Sequence, residues 1–292
     1  MKTPPTFFKS YFLVSATEKC FNRKSVFGVI TVITLLLFIH SAADAQKLDV
    51  AYVPTPDFVV ERMLDMANVG PGDYVIDPGC GDGRIVIAAA KRGAFGHGVD
   101  LDPQRIEEAR ENAKKAGVAD KVVFVVENIF DTDLSRANVI AMYLFPDINI
   151  KLRPAFLDKL EPGSRIVSHD FGMDEWKPDQ QHGRMEDHAV YLWIVPAKVG
   201  GNWKWNVAGE EFKMTVVQKF QKLELGILSG EKIFEVENSA LSGKRISFTA
   251  NNPSNNKKYV YSGRAENGVI TGIVQIHDGE NKTVENWTAV ID

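Results

Sequence analysis

Asp77, Gly79, Gly81, Asp82, Gly83 and Asp100 are the residues whose types and spacing carry the plainest chemistry in this chain. In Tyr74-Val-Ile-Asp-Pro-Gly-Cys-Gly-Asp-Gly-Arg84, three glycines alternate with Cys80 and Asp82. A chain that turns sharply through glycines brings backbone N–H groups close to a ligand. Asp77, just before the turn, adds a fixed acceptor. Amide donors flanked by carboxylates suit a cationic or polar nucleoside better than a pyrophosphate. The dinucleotide fingerprint is G-x-G-x-x-G. Here the spacing is G-x-G-x-G, and Arg84 takes the place of the third glycine, where a large side chain obstructs helix–strand packing.

These residues need a strand before them and a helix after them. Tyr74 to Ile76 reads as a buried strand and Arg84 to Ala90 as a helix. Before them, Pro54 and Pro56 block helix. Thr55 is placed to cap a helix from Pro56 to about Ala67, with Val59, Val60, Met63 and Leu64 on one face. After them, Gly96 to Leu101 is a second strand. Asp102 and Pro103 open a helix that Gly117 stops. Further strands are expected at Lys121–Val126, Val139–Phe145, Ser164–Phe171 and His188–Val195, with a helix from about Asn149 to Leu160. Alternating apolar strands and helices imply a parallel sheet covered on both faces. Met173 to His188 is polar and loop-like.

From about Lys198 the helical periodicity is lost. Strands are expected at Phe212–Leu225, Lys232–Val236, Arg245–Thr249, Tyr259–Gly263, Val269–Ile276 and Trp287–Ile291. They predict a small antiparallel β domain, sandwich or barrel-like. Trp203, Trp205 and Trp287 would form its core or a binding platform.

The 292-residue chain is 45% hydrophobic and 25% charged, with net charge −4 and no large basic block, so nucleic acid is not the expected partner. Two cysteines, Cys20 and Cys80, give neither a disulfide framework nor a thiolate zinc site. The six histidines show no ligand spacing, and no metal site is expected. Lys19, Arg23 and Lys24 precede an uncharged run, Val26 to Ile39, and then Ala43-Asp-Ala45. That pattern fits a secretory signal peptide, or else an uncleaved membrane anchor. The basic residues then stay cytoplasmic and the remainder is exported, periplasmic or anchored facing outward. Activity in the cytoplasm before export is the remaining option. The expected organisation is a leader over 1–45, a cofactor-binding domain over 46–197 and a β-rich domain over 198–292.

Asp77-Pro-Gly-Cys-Gly-Asp-Gly83 resembles motif I of class I S-adenosylmethionine-dependent methyltransferases, and Gly98-Val-Asp-Leu-Asp-Pro103 resembles their next motif. The resemblance implies a Rossmann-like seven-strand sheet with S-adenosylmethionine as methyl donor. It implies that Asp77, Gly79, Gly81, Asp82 and Gly83 form the cofactor turn. Asp100, with Leu101 beside it, would take the two ribose hydroxyls. A carboxylate suits a vicinal diol, and the acid lies one βα unit after the glycines. Asn128 stands where the family has an acid for the adenine amino group, and the Ile129 backbone follows it. Tyr52-Val-Pro-Thr-Pro56, the helix after Gly83, and Ser168-His-Asp-Phe171 with Trp176 are similar to a narrower group. These are small lysine methyltransferases, including mitochondrial enzymes acting on the c-subunit of ATP synthase and on the adenine nucleotide translocase. In that group the Tyr-x-Pro-Thr segment folds over the cofactor, which assigns Tyr52 and Thr55 to it.

The methyl acceptor is expected at the carboxyl ends of the fourth and fifth strands. Tyr143, Phe145, Pro146, His169, Asp170 and Phe171 are the candidates, with Tyr143 and His169 as the catalytic pair. The Asn/Asp-Pro-Pro-Tyr motif of amide- and base-methylating enzymes is absent; Tyr143-Leu-Phe-Pro146 replaces it. Aromatic residues there suit an amine, because cations rest on ring faces. His169 and Asp170 are adjacent and face opposite ways while the strand continues. Trp176 would close the pocket or pack a loop. The expected function is N-methylation of a protein lysine or small amine. The alternative is a non-catalytic envelope-associated binding protein that keeps the fold and uses the β domain for partners. Membrane contact would come only through the N-terminal segment, and the oligomeric state is unknown.

Overall fold

A computed structural model describes residues 53–292 apart from 185 and 186. The leader and Tyr52 lie outside the described residues. The glycine turn sits where expected, between β1 (Tyr74–Pro78) and a helix, Arg84–Lys91. In chain order the helices are α1 (Asp57–Met66), α2 (Arg84–Lys91), α3 (Pro103–Ala116) and α4 (Pro146–Lys159). The first strands are β1, β2 (Phe95–Asp100), β3 (Val122–Val126), β4 (Val139–Met142), β5 (Arg165–His169), β6 (Gln180–His182) and β7 (Val190–Ile194). They form one sheet in the order β3-β2-β1-β4-β5-β7-β6. β1 to β5 pair in parallel, while β7 runs antiparallel to β5 and β6 to β7. The order reverses between β1 and β4, and ligands of such sheets bind beyond the strand ends at that switch.

Apolar side chains fill both faces of the sheet. On one, Val59, Val60, Met63 and Leu64 of α1 pack with Ile85 and Val86 of α2 and Ile106 and Ala109 of α3. On the other, Ile148, Leu152 and Phe156 of α4 pack with Trp176 and Trp193. Four local expectations differ from the structure. Thr55 does not cap α1: Pro56 occupies the cap position, and the Thr55 hydroxyl turns toward His169. α4 begins at Pro146, three residues early, because proline suits the first helical position, where no N–H is needed. β4 stops at Met142, so Tyr143, Leu144 and Phe145 leave the sheet. β6 is the strand hidden in the polar stretch; all three of its residues are exposed, so no apolar alternation marks it.

The remaining strands are β8 (Gly201–Val207), β9 (Glu210–Lys219), β10 (Lys222–Ser229), β11 (Lys232–Ser242), β12 (Arg245–Asn251), β13 (Lys258–Glu266), β14 (Val269–Asp278) and β15 (Asn281–Ile291). They close into an antiparallel barrel, β9 pairing with β10 and β15 with β8. The single strand expected over Phe212–Leu225 is a hairpin: Phe220 adopts a positive φ of 56° and reverses the chain. β8 shows the alternation that the tryptophans alone did not reveal, with Trp203, Trp205 and Val207 inward and Asn202, Lys204 and Asn206 outward. Trp203, Trp205 and Trp287 are all buried with Phe212, Phe248, Tyr259 and Tyr261. Eight strands enclose just enough space for side chains to fill. The tryptophans are therefore core, and no binding platform forms from them. Gly263 and Gly272 are cross-strand partners, and a Cβ on Gly272 would lie 2.0 Å from the Ser262 carbonyl oxygen.

Barrel and sheet touch at the β11–β12 turn, where Gly243 lies against Gly163 and Ile194, and at the β9–β10 turn. Phe220 stacks on Trp176 at 5.7 Å and lies under the Arg153 guanidinium. Trp176 is thus an anchor for this turn, fully buried against Trp193, and not a lid on the pocket.

Candidate active site

Asp77 lies at the carboxyl end of β1, 1% exposed, and neither of its carboxylate oxygens has a hydrogen-bond partner. Burial holds its pKa well above the usual carboxylate range, and the charges of Asp100 and Asp82 push the same way. An unpaired buried carboxylate is costly unless a cation or donor meets it. It lines a cavity of about 230 Å³. The glycine turn forms one wall. Gly79 and Cys80 N–H groups both donate to the Val99 carbonyl, pinning the turn to β2. Gly79, Gly81 and Gly83 have φ of +81°, +52° and +79°, a region that L side chains rarely adopt. A Cβ on Gly79 would also lie 2.8 Å from Leu144 Cδ2. Gly79 and Asp82 face the cavity; Gly81 and Gly83 shape the turn without lining it. Burial pushes the Cys80 thiol pKa up, so it remains a small apolar filler.

Asp100 ends β2 and is held by two backbone amides. Gly81 N–H donates to Oδ2 and Asp102 N–H to Oδ1, each at 2.9 Å. Each oxygen retains a lone pair for a ligand hydroxyl. Leu101, Asn128, Ile129 and Phe130 continue the wall. The Asn128 side-chain oxygen accepts from Phe130 N–H at 3.1 Å, so the amide is already turned to the backbone. Asp82 is forked onto Arg84, with Nε at 3.0 Å from Oδ1 and Nη2 at 2.7 Å from Oδ2. Arg84 Nη1 donates to the Thr55 carbonyl at 2.8 Å. The side chain that argued against a dinucleotide is therefore the latch that holds the 53–56 segment over the cavity. Sequence spacing contained no sign of this 29-residue link, nor of Phe130 and Leu144 as lining residues.

The acceptor side is aromatic. Tyr143, Phe145 and Phe171 line the cavity. Tyr143 stacks parallel to Phe171 at 5.8 Å, and Phe145 lies 5.6 Å from the same ring. Phe171 is placed by its backbone: its carbonyl accepts from Ser168 Oγ and from the buried Asn149 Nδ2. Burial raises the Tyr143 hydroxyl pKa, and the nearby Asp170 charge adds to it. His169 is not in the wall. It is 1% exposed behind Tyr143, ring centroids 4.0 Å apart, with Nδ1 3.2 Å from the Thr55 hydroxyl. Burial pushes its imidazole pKa down to about 4 against the pull of Asp170, so the ring is neutral near pH 7. The side chains of Thr55 and Tyr143 lie between its ring and the cavity. Asp170 comes to the same side as His169, with Oδ2 3.2 Å from Nε2, because β5 has ended and Asp170 takes φ of +56°.

Comparison with known proteins agrees with this geometry. The family model described as the ANTKMT methyltransferase domain matches residues 77–180. A protein-lysine N-methyltransferase of Saccharolobus islandicus is 43% identical over 152 residues, covering 50% of this chain and 94% of that protein. The chain belongs to this family of class I S-adenosylmethionine-dependent methyltransferases. The ATP synthase c-subunit lysine N-methyltransferase of Xenopus laevis is 28% identical, covering 61% of this chain and 82% of that one. A solved RNA methyltransferase from Salinibacter ruber, bound to S-adenosyl-L-homocysteine, is 48% identical, with a TM-score of 0.49 over 50% of this chain and 96% of the other. The residues matched by the family model all precede β8, the first barrel strand. S-Adenosylmethionine is the methyl donor of this methyltransferase, and the orphaned Asp77 carboxylate fits its cationic amino-acid end. Retention of Asp77, Gly79 and Asp100 around one cavity, with the glycine turn intact, favours an enzyme over a non-catalytic relic of the fold.

Proposed function

We propose that this methyltransferase N-methylates a lysine side chain of a protein. The observation that carries the reading is the wall of Tyr143, Phe145 and Phe171 opening onto the same cavity as Asp77 and Asp100. The lysine specificity printed for the similar Saccharolobus and Xenopus proteins supports it. The cofactor, when bound, supplies a methyl group on a positively charged sulfur, open to in-line attack. Asp77 would accept from its ammonium and Asp100 from its ribose hydroxyls. Asn128, Ile129 and Phe130 would meet the base. A lysine amine must arrive deprotonated, and its pKa in water is about 10.4. Desolvation beside three aromatic rings lowers that value and favours the nucleophilic form, while the ring faces still tolerate the cation. Tyr143 orients the amine, and Thr55, latched by Arg84, excludes water from one side. Positioning and water exclusion are the main requirements of such a transfer.

The test uses the full chain with labelled S-adenosylmethionine and envelope or total protein as acceptor, followed by peptide mapping. Label on lysine is the expected result; label only on small amines, or on another side chain, overturns the protein-lysine reading. The leader supports a further proposal, that the enzyme acts outside the inner membrane. Cell fractionation with an N-terminal sequence beginning near Gln46 would support it; full-length protein in the cytoplasm would contradict it.

A further inference from the structure

Behind the acceptor wall, three side chains converge that the methyl transfer does not use directly. His169 Nε2 lies 3.1 Å from His188 Nδ1 and 3.2 Å from Asp170 Oδ2, and the latter two atoms are 3.9 Å apart. Three donors bound to one small divalent ion at about 2.0–2.1 Å in a tetrahedral set lie roughly 3.3 Å from each other. The observed separations bracket that value. We propose that His169, Asp170 and His188 bind a divalent transition ion of the zinc class.

Four independent features support the site. First, His169 Nδ1 faces the Thr55 hydroxyl at 3.2 Å, a partner able to accept from Nδ1–H, which leaves Nε2 as the ligand atom. Second, the other oxygen of Asp170, Oδ1, is buried without any partner. Third, Asp170 and His188 both adopt left-handed backbone conformations, φ +56° and +57°, at facing ends of the β5–β7 pair. The Asp170 N–H donates to the Ala189 carbonyl at 2.7 Å and holds the two ends together. Non-glycine residues seldom take this conformation, and such residues cluster at functional sites. Fourth, the cluster is closed on the protein side and open outward: His169 and Asp170 are buried, while the His188 side chain is 43% exposed. Two imidazoles and one carboxylate with one open position form a donor set that zinc-class ions favour. In sequence Asp170 and His188 are 18 positions apart, and the β5–β7 pairing brings them together. An ion there would tie the segment before β7 to the end of β5, directly behind Tyr143 and Thr55, and set the position of both.

The full chain, freed of any affinity tag and stripped with chelator, is titrated with zinc chloride, and bound metal is counted by elemental analysis. Asp170→Asn and His188→Asn are compared, since asparagine tolerates a positive φ; circular dichroism checks that each is folded. The expected result is one ion per chain, an X-ray absorption spectrum with nitrogen and oxygen ligands, and affinity at least about tenfold weaker in each variant. A rise in melting temperature with zinc is expected for the parent chain and not for the variants. No uptake at micromolar zinc, or uptake changed by less than about tenfold in either folded variant, overturns the site.

Discussion

The ionised Asp77 carboxylate is costly in this fold unless a cation or donor meets it. Both oxygens are buried without a partner, and its pKa is raised. A raised carboxyl pKa means that the folded chain binds the proton more tightly than the unfolded one. Its contribution therefore falls as pH rises from the unfolded carboxyl value, about 3.9, through the folded one. Asp77→Asn removes this slope. In chemical denaturation without cofactor, the variant is expected to match the parent at low pH and to exceed it by about 1 kcal/mol at neutral pH. Calorimetry should show its cofactor affinity reduced at least about tenfold. A variant less stable than the parent at neutral pH would contradict the assignment. Asp100→Ala strips partners from the Gly81 and Asp102 amides as well as from the ligand. Its affinity for S-adenosylhomocysteine should drop roughly 10- to 100-fold, as expected for losing charge-assisted hydrogen bonds. At Tyr143 the ring rather than the hydroxyl is the wall. Tyr143→Phe is expected to keep kcat/KM within a few-fold and Tyr143→Ala to lower it by about tenfold or more. Equal losses in steady-state assays would instead make the hydroxyl catalytic.

At the scale of elements, the 53–56 segment is held from two sides: Arg84 grips the Thr55 backbone and His169 its hydroxyl. Arg84→Ala should raise KM for the cofactor several-fold with little change in melting temperature, and Arg84→Lys should not rescue it, because lysine cannot fork onto Asp82 while reaching Thr55. An unchanged KM in the alanine variant would show the latch to be incidental. The ends of β4 and β5 matter in the same way. β4 stops at Met142 and frees Tyr143 to Phe145; β5 stops at His169 and lets Asp170 swing to the same side. Strand alternation in the sequence argued that His169 and Asp170 face apart, and it holds only as far as the ladder lasts.

For the whole molecule, the barrel is a closed unit without edge strands, attached at two turns, one of which carries Phe220. Phe220→Ala removes a ring from the Trp176–Arg153 contact. It is expected to lower stability by about 1–2 kcal/mol and to split unfolding into two calorimetric transitions; a single, unshifted transition would show the contact to be energetically idle.

The cofactor half of the site was legible in the sequence because its signals are local. A glycine turn, an acid at the end of the preceding strand and another one βα unit later lie within 24 residues, from Asp77 to Asp100. The sheet was legible for a similar reason, since each buried strand announces itself by composition. The barrel was half legible: alternation marked a β region, but a turn at the non-glycine Phe220 and a strand whose inward residues are tryptophans gave no usual punctuation. What tertiary structure alone decided are the contacts between distant segments: Arg84 on Thr55, His169 behind Tyr143, and His188 brought to Asp170. Each depends on where a strand ends and which neighbour it pairs with. Those are set by the packing of the whole sheet, and no local run of residues encodes them.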